Sequence, residues 1–162
     1  MAHPASIPAS PVCYARETND RYAGYATREE LLVFLNELLE AERAGARIAA
    51  RTADETSDAR LKSLMRDVQK DEVRWCAMLL RWIAQLEGEA SPRTGAFYEK
   101  CLAIADLAER VAFINRGQDW VARRLRDMLP RTRDDAMHAD FSAMLKGHDE
   151  NIARADAHLK ES

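Results

Sequence analysis

Four polar residues interrupt apolar helical stripes in this 162-residue chain, and their types could together bind a metal ion. They are Glu42, Glu72, Gln118 and His148. Two carboxylates and a neutral imidazole are ligands that iron, manganese and zinc accept. An ionised carboxylate that is buried without a partner is costly, and two carboxylates at one depth also repel each other. The residue types therefore demand a compensating charge or proton.

Three arrangements could supply that compensation. One divalent metal ion (Fe, Mn or Zn) could bind Glu42, Glu72 and His148, with Gln118 alongside. A protonated His148 could instead pair with one carboxylate while Gln118 donates to the other. One carboxyl group could also keep its proton and donate it across the site. The last two arrangements need no metal, so the sequence leaves a metal site and a metal-free hydrogen-bond network open.

The apolar pattern predicts the helices that must position these residues. Apolar residues recur at helical spacing over 27–53, 59–86, 96–129 and 134–159. Thr27 and Glu30 form a capping-box pattern, Gly88 is expected as a left-handed C-cap, and Pro130 ends the third helix. The fold class is therefore all-α, an antiparallel four-helix bundle. The bundle domain is predicted over 27–160, after an irregular N-terminal tail over 1–26.

The four polar residues are expected at one depth. Glu42 and Glu72 lie 15 residues before and after the turn near Ser57, and Gln118 and His148 lie 15 before and after the turn near Arg133. At a rise of 1.5 Å per residue, each lies ~22 Å from its turn, near mid-bundle.

This pattern resembles the ferritin-like superfamily. An inward carboxylate on the first helix is followed by a second about thirty residues later, and helices three and four roughly repeat the arrangement. Di-iron and di-manganese members carry a Glu on two helices and a Glu-x-x-His motif on each of the other two. The corresponding positions here hold, in chain order, Glu42, Glu72, Trp75, Gln118, His148 and Asn151.

Both Glu-x-x-His motifs are thus absent, and six ligands for two metal ions cannot be assembled from the expected positions. The resemblance implies a mononuclear or partial metal site, with metal-dependent redox chemistry if the protein is an enzyme. The alternative is a metal-free binding or structural bundle. The sequence does not decide between these functions, and it names no small-molecule substrate.

The topology is open as well. The connection over 88–95 is short and favours an up-down-up-down bundle. If the third helix begins near Leu102, the connection is long enough to cross the bundle as it does in ferritins.

Composition sets expectations about partners and location. The net charge of −3 gives no reason to expect nucleic-acid binding. The three cysteines (Cys13, Cys76 and Cys101) lack CxxC spacing, and no apolar run approaches the ~20 residues of a membrane span, so a cytoplasmic protein with reduced thiols is expected. Ferritin-like bundles often self-associate, and Phe113 and Trp120 could form an interface, so a homo-oligomer such as a dimer is predicted.

Overall fold

The computed structural model describes residues 21–161, in which every regular element is helical. The helices are α1 (Arg28–Glu55), α2 (Ala59–Gln85), the short α3 (Phe97–Leu102), α4 (Leu107–Met128) and α5 (Asp135–Glu161), with a 3-10 turn at Leu129–Arg131. The four long helices form the predicted all-α bundle, which is confirmed. Most of the predicted tail, residues 1–20 with Cys13, lies outside the described residues, and the division into tail and domain stays a prediction.

Short polar side chains begin three of the helices. Thr27 Oγ1 accepts a hydrogen bond from the amide of Glu30, and the Glu30 carboxylate accepts one from the amide of Thr27 at 2.8 Å, so the predicted capping box is present. Asp58 caps α2 and Asp106 caps α4 in the same way. These contacts satisfy amides that have no partner within the helix.

The connection between α2 and α4 crosses the whole length of the bundle. At one end, Arg28 near the start of α1 donates to the carbonyl of Leu86, just after α2. At the other end, Arg110 near the start of α4 pairs with Glu55 at the end of α1. Helices α2 and α4 therefore run parallel, and the short-turn topology that the sequence favoured is replaced by a crossover.

The crossover follows α1 through a series of polar contacts. The Asn36 side chain accepts from the amide of Ser91, and Glu40 accepts from the hydroxyl of Ser91 at 2.5 Å. The amide of Gly95 donates to the backbone carbonyl of Glu40 at 3.1 Å, and Arg43 donates to carbonyls of the same segment. These contacts hold residues 91–95 against the face of α1.

Two local predictions are wrong. The third helix does not run unbroken over 96–129, because it stops after Leu102 and restarts at Leu107 behind the cap of Asp106. The left-handed residue after α2 is Glu87 (φ 53°) rather than Gly88. Glycine at position 88 is favoured by space and not by backbone conformation, because a Cβ there would lie 2.3 Å from the Leu32 side chain.

The apolar core consists of two clusters. One contains Phe34, Leu38, Leu79, Leu125, Phe141 and Met144, with further residues around them. The other contains Ile48, Met65, Val68, Cys101, Val111 and Ile114, among others. Each long helix contributes to both clusters and has its polar residue between the two contributions. A polar layer, Glu42, Glu72, Gln118 and His148, thus divides the core.

The sequence predicts an interface at Phe113 and Trp120. Phe113 stacks on Phe97 with ring centroids 4.7 Å apart, and Trp120 is 39% exposed. The predicted homo-oligomer is untested and stays a prediction. Within residues 21–161, no helix has both the length and the apolar character that crossing a bilayer requires.

Candidate metal centre

Each residue of the polar layer lies near the midpoint of its own helix, and each is at most 5% exposed. The expected common depth is therefore found, although the crossover places the two hairpin turns at opposite ends of the bundle. Because the bundle is about twice 15 residues long, a residue 15 positions from the turn at one end lies level with a residue 15 positions from the turn at the other end. The structure brings all four sequence-predicted residues into this layer.

His148 is held in a defined orientation. Its Nδ1 lies 3.0 Å from the carbonyl oxygen of Met144, and its Nε2 lies 3.2 Å from Oε1 of Glu42. Since a carbonyl only accepts, Nδ1 carries a proton and donates it to Met144. In the neutral ring, Nε2 then presents its lone pair towards Glu42, and a proton or a cation must lie between them.

Glu72 is fixed from the opposite side of the layer. The Gln118 side-chain amide donates to Oε1 of Glu72. Gly45 of α1 leaves the space that this carboxyl group occupies, because a Cβ on Gly45 would lie 2.8 Å from the Glu72 carboxyl carbon.

One ligand atom each from Glu42, Glu72 and His148 lies within 4.8 Å of the others. The three residues come from α1, α2 and α5, and they are 0%, 3% and 1% exposed. Oε2 of Glu42 and Oε1 of Gln118 are buried and have no hydrogen-bond partner among the described residues. These oxygen acceptors beside three converging ligand atoms fit either a cation or a proton shared between the two carboxyl groups.

Burial dominates the electrostatics of the two carboxyl groups. It raises the pKa of Glu42 to about 7, against a hydrogen bond with Glu72 that lowers it, while the charge of Asp71 adds to the rise. Burial and then the charge of Glu42 raise the pKa of Glu72 well above its ordinary value, although His148 and Gln118 oppose this. Without a cation, the pair therefore retains protons near neutral pH.

The residues at the two positions where the Glu-x-x-His motifs would place histidine have other roles. Trp75 packs in the first apolar cluster, and its indole Nε1 has no partner among the described residues. Asn151 is buried and donates to Asp71 at 3.0 Å. Cys76, one turn beyond Glu72, does not join the ligand group, and burial raises the pKa of its thiol to about 12. Within residues 21–161, the group that could hold an ion contains three residues, Glu42, Glu72 and His148, rather than the six ligands of a dinuclear site.

The four long helices and the long crossover define a ferritin-like fold. The fold matches the crystal structure of a ferritin-like, diiron-carboxylate protein from Bacillus anthracis str. Ames with a TM-score of 0.58 and 18% sequence identity, over 83% of this chain and 93% of that one. At this identity the likeness concerns the fold, and it confirms the predicted resemblance.

The chain belongs to the family described as "Domain of unknown function (DUF6306)", whose model matches residues 29–157. No curated protein matches the chain. The matched residues include the polar layer and all or most of each of the four long helices.

Proposed function

We propose that this protein binds one divalent metal ion in the polar layer, with Glu42, Glu72 and His148 as ligands and Gln118 alongside. The observation that carries the proposal is the convergence of three ligand atoms from three helices within 4.8 Å in a buried site. Iron, manganese and zinc all accept this combination of carboxylate oxygen and imidazole nitrogen.

Charge supports the same proposal. Two carboxylates and a neutral imidazole carry two negative charges, which one divalent ion neutralises. The hydrogen bond from Nδ1 to Met144 leaves Nε2 as the ligand atom, the arrangement in which a second ring nitrogen is fixed by a backbone carbonyl. The orphaned Oε2 of Glu42 would gain a partner.

A bound iron or manganese ion would supply redox chemistry, and this is the reaction class that we propose if the protein is an enzyme. The chain's own groups have separable roles. Gln118 orients Glu72, Met144 orients His148, and Gly45 keeps the Glu72 carboxyl group close to α1. An apolar cluster lies on either side of the layer along the bundle.

A metal-free network is the second candidate, and the contacts of His148 with Glu42 and of Gln118 with Glu72 favour it. In that case protons shared within the layer would satisfy the buried groups, and the protein would be a structural or binding bundle. A homo-oligomer remains part of either proposal.

Metal content separates the two candidates. Protein purified without chelators, or loaded with Fe²⁺, Mn²⁺ or Zn²⁺ and then desalted, is expected to retain about one ion per chain, since three protein ligands typically suffice for stable binding. Glu72→Ala should abolish retention, whereas Glu109→Gln, an exposed carboxylate on α4, should not change it. Less than about a tenth of an ion after loading with each metal would support the metal-free network, because a preformed site binds far more completely.

A further inference from the structure

A cavity of about 560 Å³ leads from the surface to the polar layer. It opens between α1 and α4, beside Gly95 and Phe97 of the crossover, and its inner end reaches Glu42, Glu72, Gln118 and His148. This volume lies in the range of pockets that hold small organic molecules. A metal ion alone would fill only a small part of it.

The walls between the mouth and the polar layer are mostly apolar. Ala41 lines one side, Ile114 and Val121 line the other, and Phe97 covers the outer end. Gly117 is necessary for this shape, because a Cβ there would lie 2.6 Å from the Phe97 ring. An apolar body placed in this passage would be removed from water, which favours binding.

The mouth contains one cation without a carboxylate partner. Arg123 pairs with Asp119 at 3.0 Å, and Glu40 is engaged by Ser91 and by Arg93 at 3.4 Å. Arg116 instead lies over the Phe113 ring at 5.1 Å, and within residues 21–161 no carboxylate is at ion-pair distance from it. Its guanidinium group is therefore available to an anion at the mouth.

Charge fixes the orientation of such an anion. With one divalent ion bound, the two carboxylates leave the inner end of the cavity neutral. Without the ion, the inner end holds the two carboxyl groups of Glu42 and Glu72. Neither state of the inner end attracts a second negative charge. At the mouth, the carboxylates of Glu37 and Glu40 are paired with Arg124 and Arg93, which leaves Arg116 as the attractive charge. The anionic group therefore belongs at the mouth and the apolar body inside.

We propose that this cavity binds a small aromatic monocarboxylate, with its ring between Phe97, Ile114 and Val121 and its carboxylate on Arg116. Binding rests on the cavity and Arg116, while the role of the bound acid as a substrate rests on the proposed metal site. An aromatic ring suits a passage whose outer end is covered by the Phe97 ring.

Titration calorimetry with 3-phenylpropionate tests the proposal, with 3-phenylpropanol as the uncharged probe. The acid should bind about tenfold more tightly than the alcohol, as expected for a hydrogen bond to a charged group. Arg116→Gln should remove this preference and leave the binding of the alcohol unchanged. Arg123→Gln, the matched control, should change neither, because that side chain is exposed and already paired.

Ala41→Leu provides an independent variant, since leucine is also a good helix former and its side chain would fill the passage. It should weaken both probes by about tenfold or more, with metal content unchanged. Equal binding of acid and alcohol, equal losses in Arg116→Gln and Arg123→Gln, or no saturable binding up to about 10 mM would overturn the inference. Titrations of metal-free and metal-loaded protein keep the two proposals apart, because loss of metal binding alone leaves the outer cavity intact.

Discussion

Nε2 of His148 lies 3.2 Å from Oε1 of Glu42, a contact between two residues 106 positions apart in the sequence. In the neutral ring Nδ1 donates to Met144, so this contact places the lone pair of Nε2 opposite the Glu42 carboxyl group. Four predictions can be tested. Three concern the protons or the metal ion that compensate the charges of the polar layer, and the fourth concerns the crossover.

The stability of the metal-free protein should fall as pH rises from 5 to beyond 7. Burial raises the pKa of Glu42 to about 7 and that of Glu72 well above its ordinary value, so the folded state holds protons that the unfolded state has lost. Each such proton contributes a slope of up to about 1.4 kcal/mol per pH unit. Chemical denaturation at several pH values measures the slope, and Glu42→Gln should reduce it.

The pH range in which stability changes distinguishes the contribution of Glu42 and Glu72 from that of the other carboxyl groups. Hydrogen bonds lower the pKa of Glu30, Glu55 and Asp58, so those groups lose their stabilising contribution only when pH falls below their ordinary pKa values. A stability that is flat between pH 5 and 8 in the metal-free protein would contradict protonation of the layer.

Metal affinity should change with pH in the opposite direction. A divalent ion needs both carboxylates deprotonated, so its affinity should increase as pH rises through about 7, the pKa of Glu42. Calorimetry in buffers of different ionisation enthalpy should show proton release on binding at pH 6.5 and less at higher pH. Binding without proton release at the lower pH would mean that the carboxyl groups are already ionised.

Gly45→Ala should damage the site more than the fold. A Cβ at this position would lie 2.8 Å from the Glu72 carboxyl carbon, and the end of that side chain can move away. The displaced carboxyl group would lose the hydrogen bond from Gln118, and metal affinity should drop by about tenfold or more. Thermal unfolding should change little, since alanine is the better helix former. Unchanged metal affinity in Gly45→Ala would contradict the conclusion that Gly45 positions the Glu72 carboxyl group.

Arg110→Ala should loosen the start of α4. Arg110 is 4% exposed, donates to the carbonyl of Ile104 at 2.9 Å and pairs with Glu55. Its loss leaves the end of the crossover and the end of α1 without their common partner, so the unfolding temperature should fall. Arg123→Ala removes an exposed pair of the (i, i+4) type and is the matched control, with a much smaller effect. Equal effects of the two substitutions would contradict this role.

The helices and the depth of the polar layer could be predicted because both depend on local spacing. Leu35, Leu38, Glu42 and Ala49 lie on one helical face, and the structure buries all four. The break before α4 was also readable, since Asp106 with Glu109 three residues later has capping-box spacing. It was missed because the apolar periodicity continues across the break at Ile104 and Leu107.

The remaining features depend on contacts between distant segments. No spacing rule shows that Gln118 donates to Glu72 rather than to Glu42, because this follows from the parallel arrangement of α2 and α4. The direction of the crossover depends on Arg28 and Arg110, which bind its two ends. Arg116 is one of several arginines over 116–133, and only the contacts of the folded chain distinguish it from Arg123, which pairs with Asp119.

Anomalous diffraction from crystals loaded with Mn²⁺ or Zn²⁺ tests the central claim most directly. One peak per chain is expected, within coordination distance of carboxylate oxygens of Glu42 and Glu72 and of Nε2 of His148. Loaded crystals of Glu72→Ala should lack it. Two peaks in the layer, a peak at other residues, or none in crystals soaked at a pH above 7 would contradict a mononuclear site.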